Sequence, residues 1–263
     1  MPAARPQVPA ADQVLRILTF LAHRAGPVAA STIVQRLDLP RSTVYHLLRT
    51  LEGNGFVVHI ADSRRWSLGT AAFELAGGYA RQVPLARLGR PLVAGLTDRL
   101  GESGHLAVMS GRDVVYIVEE RAPRRPALVT DVGVRLPAHL TASGRAMLAV
   151  LPRTQVRALY PDAASFAGLT GLGPQRPGEL RELLRLTRAE GYAREDGDVT
   201  EGMRSVGVAV LDAAGWPVAG MAVTWPSESS HDVSDVIGPL RATARELERR
   251  LGYVSSSNDS RAP

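Results

Sequence analysis

The 263-residue chain has no cysteine and no lysine, and its 31 basic residues are all arginine. Without cysteine there is no disulfide, no thiol nucleophile and no thiolate site for zinc or an iron–sulfur cluster. Without lysine there is no P-loop lysine, no Schiff-base lysine and no Ser-x-x-Lys hydrolase. A GC-rich coding sequence also favours arginine on solvated surface, so the bias alone assigns no task. No uninterrupted apolar run approaches the roughly 18–20 residues that cross a bilayer, and the opening Met1-Pro2-Ala3-Ala4-Arg5-Pro6 has no apolar signal core. The expectation is a cytoplasmic protein with no membrane partner.

What is present is ordinary globular material, 45% hydrophobic and 22% charged, with a mean hydropathy of −0.03. That composition suits two modest domains rather than a disordered or fibrous chain. The net charge of +5 is unevenly placed: residues 1–69 carry eight arginines against four acids, and the other 194 residues carry 23 against 22. A small basic module on a nearly neutral larger one is the charge distribution of a nucleic-acid reader attached to something else, or of a solvated basic face.

Apolar periodicity separates these readings. Val14, Ile17, Leu18 and Leu21 form one helical stripe from residue 11 to the Ala25-Gly26-Pro27 break. A shorter helix over 29–37 turns Ile33, Val34 and Leu37 inward and stops at Asp38-Leu39-Pro40, because proline disfavours helical geometry in the residue before it. A third helix, 41 to about 52, buries Val44, Leu47, Leu48 and Leu51 and leaves Arg41, Ser42, Thr43, Tyr45, His46 and Arg49 outside. These donors, acceptors and cations crowd the N-terminal end, the end that a helix-turn-helix protein puts into the major groove. A merely solvated face would carry more glutamate, and here Glu52 stands alone at the far end.

After the Gly53-Asn54-Gly55 turn, Phe56, Val58 and Ile60 alternate with Val57 and His59. A second short strand with Trp66 and Leu68 follows, making a hairpin tipped by Arg64 and Arg65. Three helices and a basic wing make a winged helix-turn-helix. Ser31 and Thr32 on the second helix, and Arg64 and Arg65 meeting phosphates or the minor groove, complete the candidate DNA-contacting set.

The boundaries expected are an arm at 1–10 and the winged helix at 11–69, then a linker helix at 70–83. A second domain at 84–254 and a disordered tail at 255–263 complete the chain. In the second domain, strand-like runs at 105–110 and 114–119 flank Gly111-Arg112-Asp113, and runs at 206–211 and 218–224 flank Asp212-Ala213-Ala214-Gly215. Helices fall at 84–101, 141–151, 154–159, 178–190 and 233–251. Hairpins at both ends with helices between predict an α+β domain with an antiparallel sheet.

Small residues at 141–144 open a helix, where unpaired N–H groups and the helix dipole attract a carboxylate. The hydroxyls of Ser143, Ser205 and Thr224 would orient the rest of a small anion. The plainer alternative is that Thr141 caps the helix and its small neighbours permit close packing.

Catalytic signatures are lacking: the chain has no G-x-S-x-G elbow, no H-E-x-x-H and no G-x-G-x-x-G between a strand and a helix. Asp196-x-Asp198-x-Thr200 opens like a calcium loop but lacks glycine at the sixth position and an acid at the twelfth. His105 and His231 are isolated. No cofactor, no metal and no catalysis are expected; the enzymatic alternative is a hydrolase using Ser143 with His139.

The run Leu39-Pro40-Arg41-Ser42-Thr43-Val44-Tyr45-His46-Leu47-Leu48-Arg49-Thr50-Leu51, with Gly55-Phe56 and Trp66-Ser67-Leu68-Gly69, resembles the DNA-binding domain of IclR-family transcriptional regulators. Gly101-Glu102-Ser103, the stretch 136–149, Gly191-Tyr192-Ala193 and the last strand pair resemble that family's effector-binding domain, a fold similar to GAF domains. The likeness spans about 12–252.

It implies a transcription regulator, repressor or activator, acting as a homodimer or dimer of dimers on a pseudo-palindromic operator in double-stranded DNA. Its operator affinity would answer to a small organic-acid effector, aromatic acids included, and the linker helix would share in dimer contacts. Carried over position by position, Ala142, Ser143, Glu195, Met203, Ser205, Ala222 and Thr224 would line the effector pocket. Ala222 stands where many members have serine, and Trp225 where a small residue is common, which implies a drier or narrower pocket. The alternative is an architectural DNA-binding protein whose second domain serves assembly alone.

Overall fold

The computed structural model describes residues 7–75, 84–123, 125, 128, 130–166, 168–229 and 231–252. The chain divides into two compact units, 1–82 and 83–263.

The first unit runs α1 (Pro9–Ala22), β1 (Val28–Ala29), α2 (Ala30–Leu37), α3 (Arg41–Gly53), β2 (Val57–Ile60) and β3 (Arg65–Leu68). Helix α1 begins inside the stretch expected as an arm, with proline in its first turn, where a missing N–H costs no helical bond. Ile17, Ile33, Val44 and Leu48 are wholly buried and share one core with Leu21, Leu51, Val57 and Trp66, so the three helical stripes converge.

The turn into α3 depends on Asp38. It takes the left-handed conformation at φ 51°, after which the Leu39 N–H returns to the Val34 carbonyl and the Leu39 side chain enters the core. Two details were not foreseen. Two-residue β1 joins the hairpin to make a sheet of order β1-β3-β2, a length too short to carry any periodicity. In β2 it is Val57 that faces inward, at 2% exposure against 46% for Val58. Register explains this: Val57 pairs with Leu68 and His59 with Trp66, so the His59 ring covers Trp66 at 4.7 Å between centroids.

Residues 70–75 are helical. The remainder of the expected linker helix, 76–83, lies outside the described residues, as do 1–6 of the expected arm and the whole expected tail.

The second unit is built on a six-stranded antiparallel sheet of order β6-β5-β4-β9-β8-β7. Its strands are β4 (Ser103–Ser110), β5 (Asp113–Glu120), β6 (Arg135–Pro137), β7 (Ala193–Asp196), β8 (Met203–Leu211) and β9 (Pro217–Pro226). The early and late hairpins meet at the centre through β4 and β9, with Leu106 opposite Met221. One sheet face carries Leu106, Val118, Val206, Val208, Met221 and Val223 under α4 (Pro84–Leu100) and α8 (Val233–Arg250). On the other, Ala107, Val114 and Tyr116 share a core with α5 (Ala142–Val150), α6 (Arg153–Leu159) and α7 (Pro177–Glu190). Among the described residues, no helix is long and apolar enough to cross a membrane.

Helix α5 lies directly on β8 and β9 because those strands carry glycine where it crosses. A Cβ at Gly207 would fall 2.6 Å from the Ala142 backbone, and one at Gly220 would fall 2.4 Å from the Ser143 carbonyl oxygen. Gly220→Ala is therefore expected to destabilise the second unit by about 1–3 kcal/mol through overpacking. A urea titration of the full chain checks this; an unmoved midpoint would mean that α5 lifts off the sheet freely.

Candidate DNA-binding surface and ligand pocket

On α3 the outward face is as the sequence predicts. Arg41, Ser42, Tyr45, His46 and Arg49 are exposed and Thr43 is half-buried. The Arg41 guanidinium lies 5.7 Å from the centroid of the Tyr45 ring, a cation–π arrangement that aligns two groups suited to a base edge or a phosphate. Ser31 is exposed and Thr32 half-buried on α2. The wing arginines differ: Arg64 is exposed in the left-handed conformation at φ 52°, whereas Arg65 opens β3 and donates to the Pro27 carbonyl at 3.3 Å.

In the second unit, Ala142, Ser143, Glu195, Met203, Ser205, Ala222 and Thr224 all line one small cavity of about 20 Å³, room for little more than one water molecule. Register brings them together: Glu195 pairs with Ser205 and Ser205 with Thr224 across β7, β8 and β9, and His105 pairs with Ala222 across β4 and β9. Residues directly opposite in a sheet share a face. The start of α5 closes the cavity over this row. Sequence reasoning missed His105, Tyr116 and Thr130, which also line it. Alternation marks His105 as facing one side of its strand, but which side is the pocket follows only from pairing with β9.

The polar groups form a buried chain. Ser205 Oγ donates to Glu195 Oε2 at 2.7 Å and lies 2.9 Å from Thr224 Oγ1, which in turn lies 3.1 Å from His105 Nε2. Glu195 Oε1 accepts from the Val199 N–H at 3.1 Å. Among the described residues, two buried atoms in this cavity have no hydrogen bond: His105 Nδ1 and Ser143 Oγ. Burial raises the Tyr116 hydroxyl and the adjacent Ser143 hydroxyl opposes this, although the pair lies outside strict hydrogen-bond geometry. Burial, helped by the Arg121 charge, lowers His105 to about 4 and leaves it a neutral imidazole. Burial pushes Glu195 upward, the Asp198 charge adds to this, and the bonds from Ser205 and Val199 with the Arg145 charge oppose it.

Thr141 caps α5 by accepting from the Gly144 N–H at 3.0 Å, so the capping role and the pocket wall coexist. Arg145, buried on α5, donates to the carbonyls of His139 and Arg194, at 2.7 Å each, and to Asp198. It thereby ties the segment after β7, which supplies Val199 and Thr200 to the cavity, to the helix. Trp225 does not narrow the pocket: it sits on the opposite sheet face in the core under α8, one residue out of phase with Thr224. His139 packs edge-on against Tyr160 and Phe166 and is not part of the cavity wall.

A winged helix with an exposed polar recognition helix, in one chain with a domain enclosing a buried polar pocket, defines a DNA-binding transcription regulator with a ligand-binding domain. The chain belongs to the IclR family of bacterial transcriptional regulators. The family model for the IclR C-terminal domain matches residues 77–249, and that for the IclR helix-turn-helix domain matches 10–60. The HTH-type transcriptional repressor AllR of Klebsiella pneumoniae is 29% identical over 95% of this chain and 93% of its own length. The Pca regulon regulatory protein of Pseudomonas putida is 30% identical over 90% and 77% respectively. The fold is shared with an IclR homologue of Microbacterium hydrocarbonoxydans solved with 4-hydroxybenzoate. That structure has a TM-score of 0.80 at 22% identity, covering 93% of this chain and all of that one.

The raised Glu195 has a consequence for stability. The folded chain holds this proton more tightly than the unfolded chain. The stabilisation is therefore present at low pH and is lost as pH rises from about 4.5, the ordinary value, through the raised folded value. Glu195→Gln removes the charge, keeps an acceptor for the Val199 N–H and leaves an amide N–H that donates to Ser205 Oγ in place of the reverse bond. Its stability relative to the parent should rise from acid to neutral pH in urea titrations, and a flat difference would contradict the burial effect.

Proposed function

We propose that the protein acts in the cytoplasm as a homodimer, or dimer of dimers, on a pseudo-palindromic operator, and that a small organic acid in the second unit's pocket alters its grip on DNA. Two-fold symmetry in the protein must be mirrored in half-sites of the duplex. In this reading Arg41, Ser42, Thr43, Tyr45, His46 and Arg49 divide base-edge and phosphate contacts, with Ser31, Thr32, Arg64 and Arg65 contacting the backbone or minor groove.

The observation that carries the effector half is the buried chain from His105 to Glu195 beside the start of α5, with His105 Nδ1 and Ser143 Oγ left without hydrogen bonds among the described residues. An unsatisfied buried polar atom costs about 1–3 kcal/mol, which a ligand can recover. A carboxylate would lie at the α5 N-terminus, where the first helical N–H groups, ahead of the Gly144 N–H that Thr141 caps, have no intrahelical partner. Binding of 4-hydroxybenzoate by the Microbacterium homologue supports aromatic acids as candidates. A cavity of about 20 Å³ admits no ring, so such an effector enters only as the wall moves. Coupling to DNA then requires that the two conformations differ in effector affinity.

Arg41→Ala or Tyr45→Ala is expected to weaken specific operator binding by about 1–3 kcal/mol with the fold intact. Arg64→Ala should lower the slope of log affinity against log salt by about 1. Fluorescence anisotropy with specific and random duplexes measures both, and unchanged binding would assign the DNA contacts to another surface. For the pocket, organic acids including 4-hydroxybenzoate are titrated while melting temperature and operator affinity are followed. Failure of every acid to move either quantity would favour the architectural reading.

A further inference from the structure

A second groove, of about 340 Å³, lies between α6 and α7 and shares no lining residue with the cavity around Glu195. Its size is that of a small-molecule site, which spans roughly 300–1,000 Å³. Arg153 and Arg157 line it from α6, one turn apart, and Arg181, Arg185 and Arg188 line it from successive turns of α7. Among the described residues one acid, Glu182, lines the groove with these five cations, and it pairs with Arg185. Among the described residues, Arg153, Arg157, Arg181 and Arg188 have no carboxylate partner. Residues 70–263 hold 23 arginines against 22 acids, so this one groove concentrates positive charge in a domain whose remainder is net acidic.

One of these cations is also held in place by the backbone. Arg188 Nε donates to the Ala149 carbonyl at 2.6 Å, which fixes the guanidinium without neutralising it. Burial and the nearby Arg153 charge hold Arg188 below its ordinary value, so like charges are crowded here and a bound anion would relieve the repulsion. The floor is apolar: Val156, Leu180, Leu184 and the Tyr160 ring, whose hydroxyl is already engaged with the Arg112 carbonyl at 3.1 Å. Guanidinium groups on a rim suit phosphate or carboxylate oxygens, and such a floor suits a flat or aliphatic body.

We propose that the groove between α6 and α7 is a second ligand site, specific for a small molecule that joins an apolar or aromatic body to at least two negative charges, as a nucleoside polyphosphate does. The site gives the regulator an input separate from the pocket at Glu195, and it does not depend on that pocket's role.

Calorimetric titration of the full-length protein at low salt tests this with ATP, inorganic triphosphate and adenosine as probes. ATP should bind more tightly than triphosphate, adenosine should not bind, and added salt should weaken both anions. Arg153→Ala combined with Arg157→Ala should weaken ATP at least tenfold, while Arg41→Ala leaves ATP binding unchanged. Arg181→Gln, on the other helix, should give a loss in the same direction and covers the case in which the α6 variant folds poorly, which its melting temperature reports. Absence of ATP binding, binding indifferent to the α6 and α7 variants, or loss in Arg41→Ala instead would each overturn the proposal.

Discussion

The second unit depends on the close approach of α5 to its sheet at Gly207 and Gly220. With those positions bare, the first turn of the helix lies against β8 and β9, and Ser143 comes to rest over the row formed by Glu195, Ser205 and Thr224. A methyl group at either glycine would collide with backbone, which cannot swing aside as a side chain can. The pocket is therefore defined by a helix–sheet distance before any polar chemistry enters. The same contact buries α5 from Ala142 to Ala149, so the wall of the pocket is also core.

Within that space, burial sets the chemistry. His105 is kept neutral and Glu195 is drawn toward its protonated form, because each charged state would have to leave water. Hydrogen bonds through Thr224 and Ser205 connect the two and limit the cost. Arg145 resolves the opposite problem: its charge, deep inside, is met by two carbonyls and Asp198 at once, which is how a buried guanidinium is tolerated. Because Arg145 bonds to groups on β7 and on the segment after β7 as well as to the turn before α5, it holds this part of the pocket wall to the helix.

In the first unit the division of labour on α3 was legible in the sequence, since a 3.6-residue period sorts Val44, Leu48 and Leu51 inward and Arg41, Tyr45 and Arg49 outward without further information. The strand faces were not. Val57 and Val58 are equal by composition, and only the pairing of His59 with Trp66 decides which one reaches the core. Trp225 carries the same lesson: one position along β9 separates a pocket wall from the opposite core, so a bulky residue there has no bearing on pocket width. The seven pocket positions came from the resemblance to a family rather than from periodicity, and the structure gathers all of them around one cavity. His105 lay on a strand visible in the sequence, but nothing local marks it as a neighbour of residues more than a hundred positions away.

By itself the sequence determined the helices, the basic recognition face and the order of the hairpins, because these follow from local periodicity, turn chemistry and charge. The tertiary structure alone decided which strands are neighbours, which face each residue shows and which polar atoms are left unpaired in the interior. Those are outcomes of long-range pairing between segments such as β4 and β9, and no local pattern encodes the register in which two distant strands meet.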